Sequence, residues 1–402
     1  MIPVTEAIRL VIEKARELEA ERVPLDEAAG RVLAEDVYAD TDLPPFDRAT
    51  MDGYAVRSED LRETPARLRL VGEAAAGSGW RGTLGAGEAV RIMTGAPLPS
   101  GADSVQQVEV TRESEGGALV EIERATEPGQ FYVPRGSEIR AGERVLEAGE
   151  VINAARAAVL ASFGYASVPV GGRPRVAVLA TGTELVPVNE KPGEDQIRDS
   201  NSYSLAAYAR LAGAVVERLP FAGDDPELLR REIEEAAARA DVLVLSGGVS
   251  MGRYDFTKAA LHALGAEVFF ERVALRPGKP TVFARLPGGA LVFGLPGNPV
   301  SVSVTFNLFA RAALLRMQGA PAAAPSEEHA VLTRAAKGAE GRESYLPAAL
   351  KTDAEGRLIA EPLKWGGSSD FVAFARATAL VVVPAGERLE AGAVVKVVRL
   401  PG

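Results

Sequence analysis

The residues with chemical potential in this chain stand at the ends of apolar runs. Ser246, Gly247, Gly248, Val249 and Ser250 follow the run DVLVL and lead through Asp255 into a helical stretch. Successive Gly and Ser backbone N–H groups at a helix start form an anion cradle, so a phosphate is the natural guest. A plain tight turn would use the same Gly-Gly pair. Asp255 adds a carboxylate suited to a hard cation such as Mg²⁺ beside that phosphate, and taken alone it is equally an N-cap. Two more run ends carry acids, ATGTE closing at Glu184 and AGDDP containing Asp224 and Asp225. Asp225 before Pro226 reads as a helix N-cap, which leaves Asp224 as the spare carboxylate. Glu184 fits a first helical turn, where the dipole favours it, or a cation site. Carboxylates that converge are costly unless a cation or a function demands them.

Arg276, Pro277, Gly278, Lys279 and Pro280 form a loop of two cations bracketed by prolines. Proline fixes φ, and a stiff loop holds like charges together where a small oxyanion can neutralise them. The later stretch Leu295 to Pro299, LPGNP, precedes a helix, and its Pro296 and Pro299 shape a pocket rather than react. In FDRATMDGYAV and RIMTGAP the Asp52-Gly53 and Thr94-Gly95 pairs are ordinary turn signals by themselves.

The elements that must position these residues alternate from Arg173 onward: RVAVLATG, a helix from about Ser202, VVERLPFAG, a helix from Pro226, DVLVLSGG and a helix from about Phe256. Near-continuous apolar strands followed by crossover helices predict a buried parallel sheet. Such sheets bind ligands at the carboxyl ends of their strands, where Glu184, Asp224 and Asp255 would converge. A long helix follows from about Pro299 to Met317, then a linker-like GAPAAAPSEE and short β runs that predict a small C-terminal β-barrel. The segment before the α/β part is rich in Gly and Pro with short β runs. The first helix shows apolar positions at Val4, Ile8, Val11, Ile12, Ala15 and Leu18, and a second runs from Asn153 to Phe163 before Gly164. The two flank the β segment and are expected to pack together as a discontinuous piece. The resulting division is 1–22 with 141–170 (helical, linking), 23–140 (β-rich), 171–320 (α/β) and 321–402 (barrel). The fold class is therefore α/β plus all-β parts in a multidomain chain.

Length and composition agree. A chain of 402 residues, 47% apolar and 25% charged, has material for several cores. With 45 basic and 55 acidic residues the net charge is −10, so no cationic field gathers nucleic acid or anionic lipid, and an anionic substrate needs a local cluster. No cysteine and only His262 and His329 leave disulfides, thiolate ligands and His-based catalysis unsupplied. The amphipathic start is not a signal peptide, and no apolar stretch approaches the roughly 20 residues that span a bilayer, so a cytoplasmic location is expected.

The ordered set FDRATMDGYAV, RIMTGAPLPSGAD, LATGTEL, IRDSN, GDDP, SGGVSMGRYDFTK, RPGKP and GLPGNPVS resembles the MoeA and gephyrin E-domain family of molybdopterin molybdenumtransferases. The resemblance implies a transferase of molybdenum-cofactor biosynthesis that puts molybdate into adenylylated molybdopterin with Mg²⁺-dependent release of AMP. It implies a homodimer of four-domain subunits whose site also draws on the partner's β-rich domain, and an upstream molybdopterin adenylyltransferase as partner. Carried over by motif, Asp52, Thr94, Glu184, Asp224 and Asp255 are the catalytic positions, with Glu184, Asp224 and Asp255 also the Mg²⁺ ligands. Ser246, Gly247, Gly248, Ser250, Pro296 and Pro299 form the molybdopterin pocket, and Arg276, Lys279 and Arg342 receive molybdate.

Two departures stand out. Arg276 replaces a frequent Lys, so a planar fork replaces a point charge. Where the family puts serines, Gly367, Ser368, Ser369, Asp370 and Phe371 run on into Val372 and Ala373, so the hydroxyl expected near the oxyanion is absent or comes from Ser368 or Ser369. Rival readings are a molybdopterin adenylyltransferase, which leaves MDGYAV and MTGAP without purpose, and a non-catalytic gephyrin-like scaffold, which leaves the acids and cations without purpose.

Overall fold

The computed structural model describes residues 1–221, 225–248 and 256–401. Asp224, Ser250 and Asp255 therefore lie outside the described residues. The chain divides into two compact units, one made of 1–35, 149–153 and 167–402, the other of 36–148 and 154–166.

The larger unit is built on a six-stranded sheet ordered Val215–Arg218, Arg175–Ala180, Val242–Ser246, Leu291–Leu295, Pro280–Arg285 and Glu267–Arg272. The first four strands are parallel, as their apolar runs predict, and the last two pairings are antiparallel. The reason is connection length. Leu286 to Ala290 closes a hairpin through the Leu286 N–H on the Ala290 carbonyl, and so short a link cannot make a parallel crossover. Both faces of the sheet are covered. Val176, Val178, Val242, Val244, Phe293 and Leu295 face one core, while Ala177, Leu179, Leu243, Leu245 and Val292 face another. This two-sided burial is why the strands read as unbroken apolar runs.

Helices α1 (Val4–Lys14), α3 (Asn201–Leu211) and the long stretch α6 (Pro299–Thr305), a π turn (Phe306–Ala310) and α7 (Arg311–Met317) cover the first face. Helices α4 (Pro226–Ala237) and α5 (Phe256–Ala263) cover the second. Asp225 caps α4, its Oδ1 accepting from the N–H groups of Glu227 and Leu228 at 2.9 and 3.1 Å, the role its place before Pro226 indicates. Pro299–Met317 is the one segment among the described residues that is long and apolar enough to cross a bilayer, contrary to the sequence reading; 83% of its most apolar window is buried, which makes it a core helix. Buried Val4, Ala7 and Val11 of α1 join the same core. Helix α2 (Ala154–Ser162) belongs to the other unit, so the two helices expected to pack together are in different units.

In the same larger unit, Glu343–Thr352, Leu358–Pro362, Glu327–Leu332, Val394–Arg399 and Ala379–Val383 pair in that order, and the last returns to the first, closing a five-stranded barrel. Its interior is filled by small residues such as Ala330, Ala348, Ala360, Ala379 and Val397, the size a narrow barrel admits. Leu380, Val382 and Tyr345 point outward into the core that holds α6 and α7. The short strand Leu275–Arg276 pairs with Glu343–Ser344 and so ties the cationic loop to the barrel.

The smaller unit carries a six-stranded sheet ordered Ser104–Gln107, Gly53–Val56, Glu88–Ile92, Ala66–Ala74, Leu119–Ile122 and Thr111–Ser114. Gly53 is required there, since a Cβ would lie 1.9 Å from the Gln106 carbonyl oxygen.

Candidate functional site

Register brings the candidate site together. Ala180 pairs with Ser246, and Ser246 with Leu295, so three parallel strands end side by side. Their loops wall a cleft of about 1000 Å³ lined by Glu184, Ser246, Gly247, Gly248, Pro296 and Pro299, among others. A ligand at the carboxyl edge of a parallel sheet meets such loops together.

The glycines let the loops approach. Gly247 and Gly248 have φ of +97° and +65°; a Cβ on Gly247 would lie 2.5 Å from the Thr181 carbonyl oxygen, and one on Gly248 2.6 Å from Thr257 Oγ1. The Thr181 N–H donates to the Ser246 carbonyl at 2.8 Å, and the Gly247 N–H to the Leu295 carbonyl at 3.1 Å, locking all three loops. Exposed Glu184 folds its carboxylate back over Gly182 and has no side-chain partner among the described residues. An unpaired carboxylate on the cleft wall is an oxygen donor that fits a hard cation such as Mg²⁺. Among the described residues no group of three or more metal-ligating side chains occurs; Asp224 and Asp255 are outside that set.

The cationic loop adjoins the cleft through Pro280. Gly278 has φ of +115° and packs so tightly on α6 that a Cβ would stand 2.4 Å from Thr305 Cγ2, while Thr281 Oγ1 donates to the Gly278 carbonyl at 2.7 Å. Arg276 and Lys279 are exposed and Arg342 is half-buried. Pairing Leu275 with Glu343 brings Arg342 one residue before the partner of Leu275. The Arg276, Lys279 and Arg342 side chains have no hydrogen-bond or ion-pair partner among the described residues, which leaves three cations available to an anion.

Residues outside the sequence-based site also line the cleft, Asp199 and Asn201 from IRDSN, Asn298 and Phe371, together with Ser369, one of the two serines the sequence offers for the expected hydroxyl. Asp199 accepts from the Ser202 N–H at 3.0 Å and from the Ser202 hydroxyl, shaping the start of α3. Asn298 Nδ2 donates to Ser368 Oγ at 2.9 Å, and the Val300 N–H to the Ser368 carbonyl at 3.0 Å. Ser368 thus pins the 366–371 loop onto the start of α6, and Ser369 is the hydroxyl of the two that lines the cleft. IRDSN itself was visible as a motif; which of its side chains faces the cleft was not.

In the smaller unit Gly53 pairs with Ile92, which places Asp52 and Thr94 at one sheet edge. Asp52 Oδ1 accepts from the Thr94 N–H at 2.7 Å and from Thr94 Oγ1 at 2.8 Å. The backbone N–H first, then the hydroxyl, hold the Asp52 carboxyl below the usual carboxylate range.

Residues 2–164 match the MoeA N-terminal region (domain I and II), 177–316 a probable molybdopterin binding domain, and 329–400 the MoeA C-terminal region (domain IV). A Bacillus subtilis protein named molybdopterin molybdenumtransferase is 37% identical over 405 residues, covering 98% of this chain and 93% of that protein. The chain belongs to the molybdopterin molybdenumtransferase family. It is accordingly a transferase of molybdenum-cofactor biosynthesis, as its motifs indicate. A Staphylococcus epidermidis member is 34% identical, covering 99% of this chain and 95% of its own length. A crystal structure titled as a molybdopterin biosynthesis MoeA protein from Pyrococcus horikoshii superposes with a TM-score of 0.86 at 29% identity, covering 100% of both chains. End-to-end similarity to this family sets aside the adenylyltransferase reading.

Proposed function

We propose that this chain transfers molybdenum from molybdate to the dithiolene of adenylylated molybdopterin, releasing AMP. The observation that carries the reading is the shared register of Ala180, Ser246 and Leu295, which gathers a phosphate-type loop, an unpaired carboxylate and two prolines around one cleft. In this reading Ser246, Gly247 and Gly248, with Ser250, hold the substrate's phosphates by backbone and hydroxyl donors. Glu184, with Asp224 and Asp255, would hold Mg²⁺, which when bound supplies positive charge against the phosphoanhydride. Arg276, Lys279 and Arg342 replace the hydration of molybdate with fixed cations. Water adds across the phosphoanhydride, so AMP leaves and the pterin keeps its terminal phosphate; the two dithiolene thiols give up their protons and take the metal, and two molybdate oxygens depart as water with those two protons and two from solvent. A protein nucleophile is unnecessary, in keeping with a chain that has no cysteine and two histidines.

Asp52 and Thr94 join the site from the partner subunit of a homodimer in this reading, and an upstream molybdopterin adenylyltransferase delivers the substrate in the cytoplasm. The test is AMP release and cofactor formation by purified protein given adenylylated molybdopterin, molybdate and Mg²⁺, beside Glu184→Gln and Asp255→Asn. Molybdate-dependent release that fails in the variants is expected. Tight pterin binding with no release by the wild type would replace the transferase reading with a scaffold.

A further inference from the structure

The start of α3 carries an amide whose orientation is fixed by its surroundings. Asn201 Nδ2 donates to the Gly297 carbonyl at 2.7 Å and to Ser246 Oγ at 2.9 Å. A carbonyl oxygen only accepts, so the NH₂ group must face it; a flipped amide would set two acceptors against each other. Asn201 Oδ1 is sealed from solvent with no partner among the described residues, so the side chain is held for its two donors and not for its acceptor.

The consequence falls on Ser246. Its Oγ receives a hydrogen bond from Asn201, and its own hydroxyl hydrogen has no acceptor among the described residues. Ser246 is only 2% exposed yet lines the cleft, so that hydrogen is left for a bound group. We infer that Asn201 is a positioning residue that sets the Ser246 hydroxyl as a donor toward an anionic oxygen of the substrate. This rests on the reading of the cleft as the molybdopterin site and adds to it the residue that orients the phosphate loop.

The experiment measures binding of molybdopterin to full-length protein for Asn201→Ala, Asn201→Asp, Ser246→Ala and both double variants, with melting curves for each. A hydrogen bond to a charged acceptor corresponds to roughly a ten- to hundredfold effect, so Ser246→Ala should weaken binding by about that much. Asn201→Asp is nearly isosteric, but its carboxylate captures the Ser246 hydrogen. It should therefore weaken binding more than Asn201→Ala does, and the loss should shrink as pH falls and that carboxylate protonates. In the Ser246→Ala background both Asn201 substitutions should cost markedly less than in the wild type. Additive losses, equal for Ala and Asp and flat with pH, would make Asn201 a clamp and overturn the inference. If Asn201→Asp does not fold, the cycle of Asn201→Ala with Ser246→Ala decides by the same criterion. Failure of the wild type to bind molybdopterin would instead count against the reading of the cleft.

Discussion

Gly247→Ala tests whether close approach of the three loops builds the cleft. The substitution meets two costs. An alanine in a left-handed conformation, here φ of +97°, costs roughly 1–2 kcal/mol. Its Cβ would also stand 2.5 Å from the Thr181 carbonyl oxygen and 2.8 Å from Thr181 Oγ1, and overpacking against backbone adds roughly 1–3 kcal/mol. The sum is roughly 2–5 kcal/mol. Gly289 is the control: its φ is +95°, but nothing lies within 4 Å of its Cβ position, so Gly289→Ala should show the first cost alone. The chain has two tryptophans, Trp80 in the smaller unit and Trp365 packed against the core of the larger. In a Trp80→Phe background, denaturant unfolding followed by Trp365 fluorescence reports the larger unit. Gly247→Ala should lower its stability by roughly 1–3 kcal/mol more than Gly289→Ala and weaken molybdopterin binding, which Gly289→Ala should preserve. Equal destabilisation with unchanged binding in both would refute the close-approach reasoning.

Other expectations follow from single contacts. Removing the cap with Asp225→Ala should cost roughly 0.5–2 kcal/mol, read by the same fluorescence transition. Thr94→Ala removes the hydroxyl donor to Asp52 and should move its carboxyl titration upward, as followed by carboxyl NMR. Because the folded Asp52 titrates below its unfolded value, it adds stability at neutral pH that is lost as pH falls through the folded value; Thr94→Ala should therefore flatten the acid-side decline. Asn298→Ala removes the donor to the Ser368 hydroxyl, leaving only the Val300 N–H on the Ser368 carbonyl, and should cost roughly 0.5–1.5 kcal/mol while speeding proteolysis in the 366–371 loop. Neutralising Arg276 and Lys279 together should raise the molybdate concentration needed for AMP release and reduce its dependence on salt.

The parts legible in the sequence were those that local chemistry dictates. The runs VAVLA and VLVL are apolar at every position because both sheet faces are buried, so they could be read as parallel strands without coordinates. Asp225 before Pro226 announced a helix start. The hairpin-like stretch before Gly294 likewise signalled the antiparallel pairing of Pro280–Arg285 with Leu291–Leu295, whereas the antiparallel pairing of Glu267–Arg272 with Pro280–Arg285 had no local signal. The partnership of α1 was also hidden, since an apolar stripe says that a helix is buried and not on what.

The sequence by itself determined which residues are available for chemistry: carboxylates and cations in place of thiols and imidazoles, with a Gly-Ser loop suited to phosphate and an ordered motif set that marks the family. Tertiary structure decided which of them meet. Glu184 and Ser246 are far apart in the chain and share a cleft because Ala180 and Ser246 are register partners. Asp52 and Thr94, two ordinary turn residues in sequence, bond because Gly53 pairs with Ile92. Ser368 and Ser369 are adjacent and chemically alike, yet Ser368 is taken up by Asn298 and Ser369 lines the cleft. Which distant residues become register partners, and which of two like side chains takes up a hydrogen bond, are settled by contacts between segments far apart in the chain, and no one segment's composition names its partner.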